Sequence, residues 1–176
     1  MRIIAGDLKG REFKSPRGRT TRPMSEKTRG ALFNTLGDIE GLSVLDGFAG
    51  SGALVFEAIS RGAVSALAIE QDKAAHKAIS ESIKQLGLKR QLKNLRANVS
   101  GWSNNNASKQ FDLLLLDPPY NNLDRRLLQK LARHAKPGGL VVLSWPGKEP
   151  APPFGGLELV TGKKHGDIQL VFYRKT

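Results

Sequence analysis

The run Phe111-Asp112-Leu113-Leu114-Leu115-Leu116-Asp117-Pro118-Pro119-Tyr120 decides the fold. Four consecutive leucines predict a strand buried on both faces, as in the middle of a parallel sheet. The strand must end at Asp117, because Pro118 and Pro119 have a fixed φ and no backbone N–H. A stiff turn at the carboxyl end of a central strand is where open α/β sheets bind ligands. This turn offers a carboxylate (Asp117), proline carbonyls and an aromatic face (Tyr120). Such a set suits a planar ring with an exocyclic amino group. Asp117 and the Pro118 carbonyl can accept the two N–H hydrogens, steering the nitrogen lone pair out of the ring plane, while Tyr120 stacks on the ring.

Outward from this strand, strand and helix patterns alternate. Strands are predicted at 42–46, 64–70, 91–97, 111–116 and 140–144, and helices at 53–61, 73–86 and 127–135. Residues 100–110 read as a short helix or loop. This is βαβ repetition, hence a mostly parallel sheet with right-handed crossovers. A helix at 25–36 precedes the repetition, with Ser25 as its N-cap. Residues 146–156 are too rich in Pro and Gly for a helix. Segments 157–161 and 168–173 alternate like strands, predicting an antiparallel C-terminal hairpin added to the parallel sheet. Segments 2–5 and 11–14 predict a small N-terminal hairpin. Two divisions result: a basic appendage over 1–23, and one catalytic-type domain over 24–176.

The chain carries 28 Lys+Arg against 16 Asp+Glu, a formal net charge of +12, which favours a polyanionic partner. Residues 1–29 hold nine basic side chains against Asp7, Glu12 and Glu26, so half of the net charge sits in one sixth of the chain. The 15–23 loop, dense in cations, Gly and Pro, can lie along a phosphate backbone. Lys14, Arg17, Arg19, Arg22 and Arg29 are the candidate phosphate contacts. The chain has no cysteine, which excludes disulfides and thiol catalysis. No apolar run approaches membrane-spanning length and the start is no signal peptide, so a cytoplasmic location is expected. His76, His134 and His165 lack ligand spacing; the first two read as helix-surface residues, and no metal is expected. Trp102 and Trp145 read as packing residues. Lys89, Arg90, Lys93 and Arg96 read as a solvated edge.

Asp46-Gly47-Phe48-Ala49-Gly50-Ser51-Gly52 joins the first strand to its helix. Its glycines permit tight backbone geometry and close ligand approach. It is neither GxGxxG nor a P-loop. Glu70 ends the next strand, where a carboxylate can hold ribose hydroxyls. A nucleoside cofactor beside an amino-group site fits S-adenosylmethionine, whose sulfonium supplies an activated methyl group.

The chain resembles the bacterial 16S rRNA guanine-N2 methyltransferase family nearly end to end. The matching segments are Arg-Pro-Met-Ser-Glu-Lys-Thr-Arg-Gly-Ala-Leu-Phe-Asn (22–34), Leu-Asp-Gly-Phe-Ala-Gly-Ser-Gly-Ala-Leu (45–54), Glu-Ala-Ile-Ser-Arg-Gly-Ala (57–63), Ile-Glu-Gln-Asp (69–72), Asp-Pro-Pro-Tyr (117–120) and Gly-Asp-Ile-Gln-Leu-Val-Phe-Tyr (166–173). The resemblance implies a Rossmann-like class I S-adenosylmethionine-dependent methyltransferase fold. It implies Asp46 to Gly52 around the methionine and ribose parts of the cofactor. It also implies Glu70, with Gln71 beside it, on the ribose, and Asn98 with Val99 near the adenine. Asp117, Pro118, Pro119 and Tyr120 would grip the base. The implied partner is 16S rRNA or a small-subunit assembly particle, and the chain is expected to act as a monomer. Met24 departs from the family's usual Thr, and Ser144-Trp145-Pro146 stands where an acidic residue commonly follows strand five. Two competing readings remain: an adenine- or cytosine-amino methyltransferase of DNA or RNA, and a non-catalytic RNA-binding ribosome-assembly protein.

Overall fold

The computed structural model describes residues 1–16 and 23–176. Seven strands form one sheet: β1 (Ser43–Asp46), β2 (Ser65–Glu70), β3 (Leu92–Arg96), β4 (Phe111–Leu116), β5 (Ala135–Pro146), β6 (Leu157–His165) and β7 (Ile168–Lys175). Their order is β3-β2-β1-β4-β5-β7-β6. β1 to β5 run parallel, and β7 is antiparallel to both β5 and β6. The chain steps outward from β1 to β3, then returns to β4 on the other side of β1. That reversal opens a crevice at the carboxyl ends of β1 and β4, the usual ligand position in such sheets.

The leucine run behaves as its composition predicts. Leu113 and Leu115 pack into one core, and Leu114 and Leu116 into the other. This is the period-two alternation of a strand with both faces covered. The first core holds residues from α1 (Glu26–Leu36), α2 (Ala53–Ser60) and α3 (Lys73–Leu86). The second holds residues from α4 (Val99–Asn105) and α5 (Arg125–Leu131). Trp102 and Trp145 are buried in the second core. Side-chain caps set several helix starts. Ser25 accepts from Thr28 N–H, Asp72 from Ala75, and Asn98 from Ser100 and Gly101.

Three expectations change. α5 starts at Arg125, because Asp124 caps it by accepting from the N–H groups of Arg126 and Leu127. It gives way at Ala132 to a 3-10 turn, Ala132–His134. β5 begins earlier than predicted, at Ala135 opposite Phe111, and bulges before Leu140 meets Leu113. His134 is buried rather than on a helix surface. Its Nε2 lies 2.8 Å from Ser103 Oγ and its Nδ1 2.7 Å from the Lys109 carbonyl. The imidazole thus ties the turn to α4 and to the chain entering β4.

The N-terminal reversal is closed by a single antiparallel bridge, Arg2 to Glu12, not by a longer ladder. Its stability comes from below. Ile3 and Phe13 are buried in the first core, with the Phe13 ring 4.9 Å from that of Phe56. Burying side chains of this size contributes about 1.5–3 kcal/mol each. Glu57, in the middle of α2, supplies the polar half of the attachment. Its carboxylate accepts from Ile4 N–H at 2.8 Å and Ala5 N–H at 3.1 Å. Ser60 adds two bonds, accepting from Leu8 N–H and donating to the Ala5 carbonyl. Gly6, at φ 81, lies so close that a Cβ there would sit 1.7 Å from the Ser60 carbonyl oxygen. Only glycine fits that approach.

Candidate active site

The site begins at the carboxyl end of β1. The Asp46–Gly52 loop is pinned to both neighbouring strands. Gly47 N–H donates to the Leu115 carbonyl of β4, and Ala49 N–H to the Ile69 carbonyl of β2. Gly50 N–H donates to a Glu70 carboxylate oxygen at 2.7 Å, and Asp72 N–H to the other at 2.8 Å. Glu70 therefore does more than end its strand: it fastens the loop in front of it. The glycines leave little room for a side chain. A Cβ on Gly47 would come within 3.0 Å of Leu116, and one on Gly52, at φ 79, within 2.8 Å of Phe56.

Asp46 is fully buried, and one oxygen accepts from Phe48 N–H at 3.1 Å. Its Oδ2 is buried with no hydrogen-bond partner among the described residues. Burial, with Asp117 and Glu70 nearby, pushes its carboxyl up to about 8 against the opposing Phe48 bond. Three carboxylates thus converge at one edge of a strongly basic chain. A cationic ligand with an ammonium or sulfonium group relieves that repulsion. Beyond Glu70, Gln71 and Asn98 join at 3.3 Å, and with Arg96 and Ala97 they line an open pocket of about 360 Å³. Val99, the first residue of α4, is buried. The buried acceptor, the glycine cradle and the adjoining polar pocket fit S-adenosylmethionine.

The Asp117–Tyr120 turn stands on the next strand. β1 pairs with β4 so that Asp46 lies opposite Leu115, two residues before Asp117. The catalytic-type turn and the loop are therefore neighbours. Pro118 is buried, whereas Pro119 and Tyr120 face solvent. A 3-10 turn, Tyr120–Asn122, follows, closed by Asn122 N–H donating to the Pro119 carbonyl. The Tyr120 hydroxyl lies 2.5 Å from Ser144 Oγ at the end of β5. Burial pushes the phenol up to about 12 despite the opposing Ser144 bond, so it is neutral at physiological pH. Asp117 shares a crevice with Met24, Leu54, Leu115 and Ser144. The two departures from the family pattern, Met24 and Ser144, thus border the turn directly.

The expected phosphate contacts divide. Arg17, Arg19 and Arg22 lie outside the described residues. Lys14 is exposed, with its ammonium 2.6 Å from Glu81. Arg29 is a correction. It is 0% exposed, with Nε 3.6 Å from Glu57 and Nη2 donating to the Arg2 carbonyl at 2.6 Å. A side chain enclosed in this way cannot reach a phosphate; it holds the N-terminal segment instead. Glu57 and Ser144 were missed from the sequence. The signal for Glu57 was an acid inside the apolar run Ala-Leu-Val-Phe-Glu-Ala-Ile-Ser. Ser144 stands out in the sequence only as a departure from the family pattern; its contact with Tyr120 depends on how the 117–120 turn folds back on β5.

The profile of the family described as conserved hypothetical protein 95 matches residues 1–174. Ribosomal RNA small subunit methyltransferase D of Haemophilus influenzae is 33% identical over 151 residues, covering 80% of this chain and 76% of that protein. The protein of the same name from Buchnera aphidicola subsp. Acyrthosiphon pisum is 35% identical over 120 residues, 68% of this chain and 62% of its own length. Among solved structures, the Escherichia coli "Putative methyltransferase yhhF" superimposes with a TM-score of 0.86 at 26% identity, covering 99% of this chain and 97% of that one. The fold is that of the S-adenosylmethionine-dependent methyltransferases, and the chain belongs to the conserved hypothetical protein 95 family, that of ribosomal RNA small subunit methyltransferase D.

Proposed function

We propose that this protein methylates the exocyclic N2 amino group of a guanine in 16S rRNA, with S-adenosylmethionine as donor. One observation carries the reading: the acceptor-rich Asp117–Tyr120 turn stands beside the Asp46–Gly52 loop, across the β1–β4 reversal. The family relationship supports a ribosomal RNA substrate, and the strongly basic N-terminal segment fits one.

When bound, S-adenosylmethionine supplies a methyl group that passes to the nitrogen as the C–S electron pair stays on sulfur. The chain's residues prepare that nitrogen. A guanine amino group is a poor nucleophile because its lone pair is shared with the ring. The Asp117 carboxylate and the Pro118 carbonyl accept its two hydrogens and hold the lone pair out of plane. Tyr120 stacks on the base. The nitrogen is cationic once methylated, so its proton leaves to solvent without a dedicated base. Asp46 meets the cationic donor with a charge that burial alone would suppress. These are preorganised electrostatic contributions, the kind that typically dominate such sites.

The substrate grip is assigned to the N-terminal segment. Pro16 is buried, and the described chain resumes at Pro23 and Met24, with Met24 in the Asp117 crevice. Arg22 is therefore covalently two residues from a wall of that crevice. Transfer of labelled methyl to unmodified small-subunit RNA or particles tests the proposal. Incorporation is expected, and no incorporation into either substrate overturns it.

A further inference from the structure

The contact between Tyr120 and Ser144 has a use that the reading above does not assign. Pro118 and Pro119 fix the backbone that leads into Tyr120. They do not fix the tyrosine side chain, which keeps two rotatable torsions and is 37% exposed. A ring that stacks on a base needs a defined position. A group that anchors its far end must itself be rigid. Ser144 meets this requirement: it is 2% exposed, it pairs with Leu170 of β7, and it directly follows Leu143, the last β5 residue paired with β4. Its Oγ lies in hydrogen-bond contact with the Tyr120 hydroxyl, at 2.5 Å.

We propose that Ser144 is a positioning residue for base recognition: its hydroxyl anchors the far end of the Tyr120 side chain and so holds in place the ring against which the target base stacks. This rests on the proposed function. Tyr120 touches the base, and Ser144 acts through it. Ser144 also lines the crevice beside Asp117, so one side chain both borders the amine-orienting acceptor and anchors the stacking ring. A serine suits this place because its hydroxyl can donate or accept, whichever the phenol requires. In a site otherwise governed by carboxylates, a neutral anchor adds no charge beside Asp117.

The test uses Ser144→Ala in the full chain, a change that removes one oxygen from a buried site. The chain has two tyrosines, Tyr120 and Tyr173, so labelling with fluorotyrosine gives two fluorine resonances. Tyr173 reports elsewhere, since it is buried and donates to the Pro152 carbonyl. The resonance missing from Tyr120→Phe identifies Tyr120. In Ser144→Ala the Tyr120 resonance is expected to move while that of Tyr173 stays; an unmoved Tyr120 resonance overturns the contact. Methyl transfer at subsaturating RNA should fall about 3- to 10-fold, the effect of one lost hydrogen bond, with S-adenosylmethionine affinity unchanged. Adding Ser144→Ala to Tyr120→Phe should cost nothing more. A full additional loss in that background overturns the positioning role. If the parent protein transfers no methyl group at all, the proposed function falls, while the resonance experiment still decides the contact.

Discussion

Exchanging Glu57 for glutamine should loosen the N-terminal segment and destabilise the whole chain. Glu57 is 0% exposed and serves four groups at once. It accepts from Ile4 N–H and Ala5 N–H, pairs with Arg61 Nε at 2.8 Å, and faces Arg29 Nε at 3.6 Å. Glutamine keeps the volume but loses the charge, and it turns an NH₂ toward groups that are all donors. Arg29 is then left buried with a weakened counter-charge. Breaking one side of a buried pair costs about 3–5 kcal/mol, a large part of the roughly 5–15 kcal/mol that holds a typical domain together. For a chain of this size that corresponds to a fall in Tm of roughly 6–20 °C. Urea unfolding measures the global loss, and amide exchange at Ile4 and Ala5 measures the local one. Adding Arg29→Met should recover part of the stability, because it removes the stranded charge. A loss below about 1 kcal/mol, with exchange at Ile4 and Ala5 unchanged, would refute the argument that Glu57 fastens this segment.

Three other outcomes follow from the site. Asp46→Asn should abolish S-adenosylmethionine binding by calorimetry yet stabilise the cofactor-free protein. Because the folded carboxyl is raised to about 8, its contribution to stability is full below the ordinary 3.8 and is lost as pH rises toward 8. The gain in Tm from Asp46→Asn should therefore be larger at pH 8 than at pH 5, and a pH-independent gain would contradict the burial argument. Asp117→Ala should lower methyl transfer by about 10²-fold or more while leaving cofactor binding nearly intact, as initial rates and calorimetry would show. Changing Arg17, Arg19 and Arg22 together to Ala should weaken RNA binding and flatten its dependence on salt, with cofactor affinity unchanged; an unaltered salt slope would leave the segment as a solubilising surface.

The parts of this molecule that were legible in the sequence are those set by local pattern. The leucine run could only be a doubly covered strand, and the Pro-Pro step could only end it. α3 came out with its predicted ends because Asp72 caps one and Gly87 closes the other. The parts that were not legible depend on partners far away in the chain. Arg29 reads as a surface cation by composition; only the fold shows Glu57, on another helix, enclosing it. His134 gave the same misreading, since Ser103 and Lys109 reach it only after α4 packs on the turn that follows α5. Glu70 reads by position as a ligand contact, and the fold shows that it also fastens the backbone at Gly50 and Asp72. The misread positions are thus charged or polar groups whose burial is compensated tertiarily, where residue type alone predicts exposure.

The central claim is that the Asp117–Tyr120 turn presents a guanine amino nitrogen to a methyl donor held by the Asp46–Gly52 loop. Its most direct test is nucleoside analysis by mass spectrometry of unmodified 16S rRNA and small-subunit particles after reaction with the parent protein and with Asp117→Ala. N2-methylguanosine formed by the parent, and reduced about 10²-fold or more by Asp117→Ala, is the predicted result. Methyladenosine or methylcytosine as the product, or N2-methylguanosine formed equally well without the Asp117 carboxylate, would contradict it.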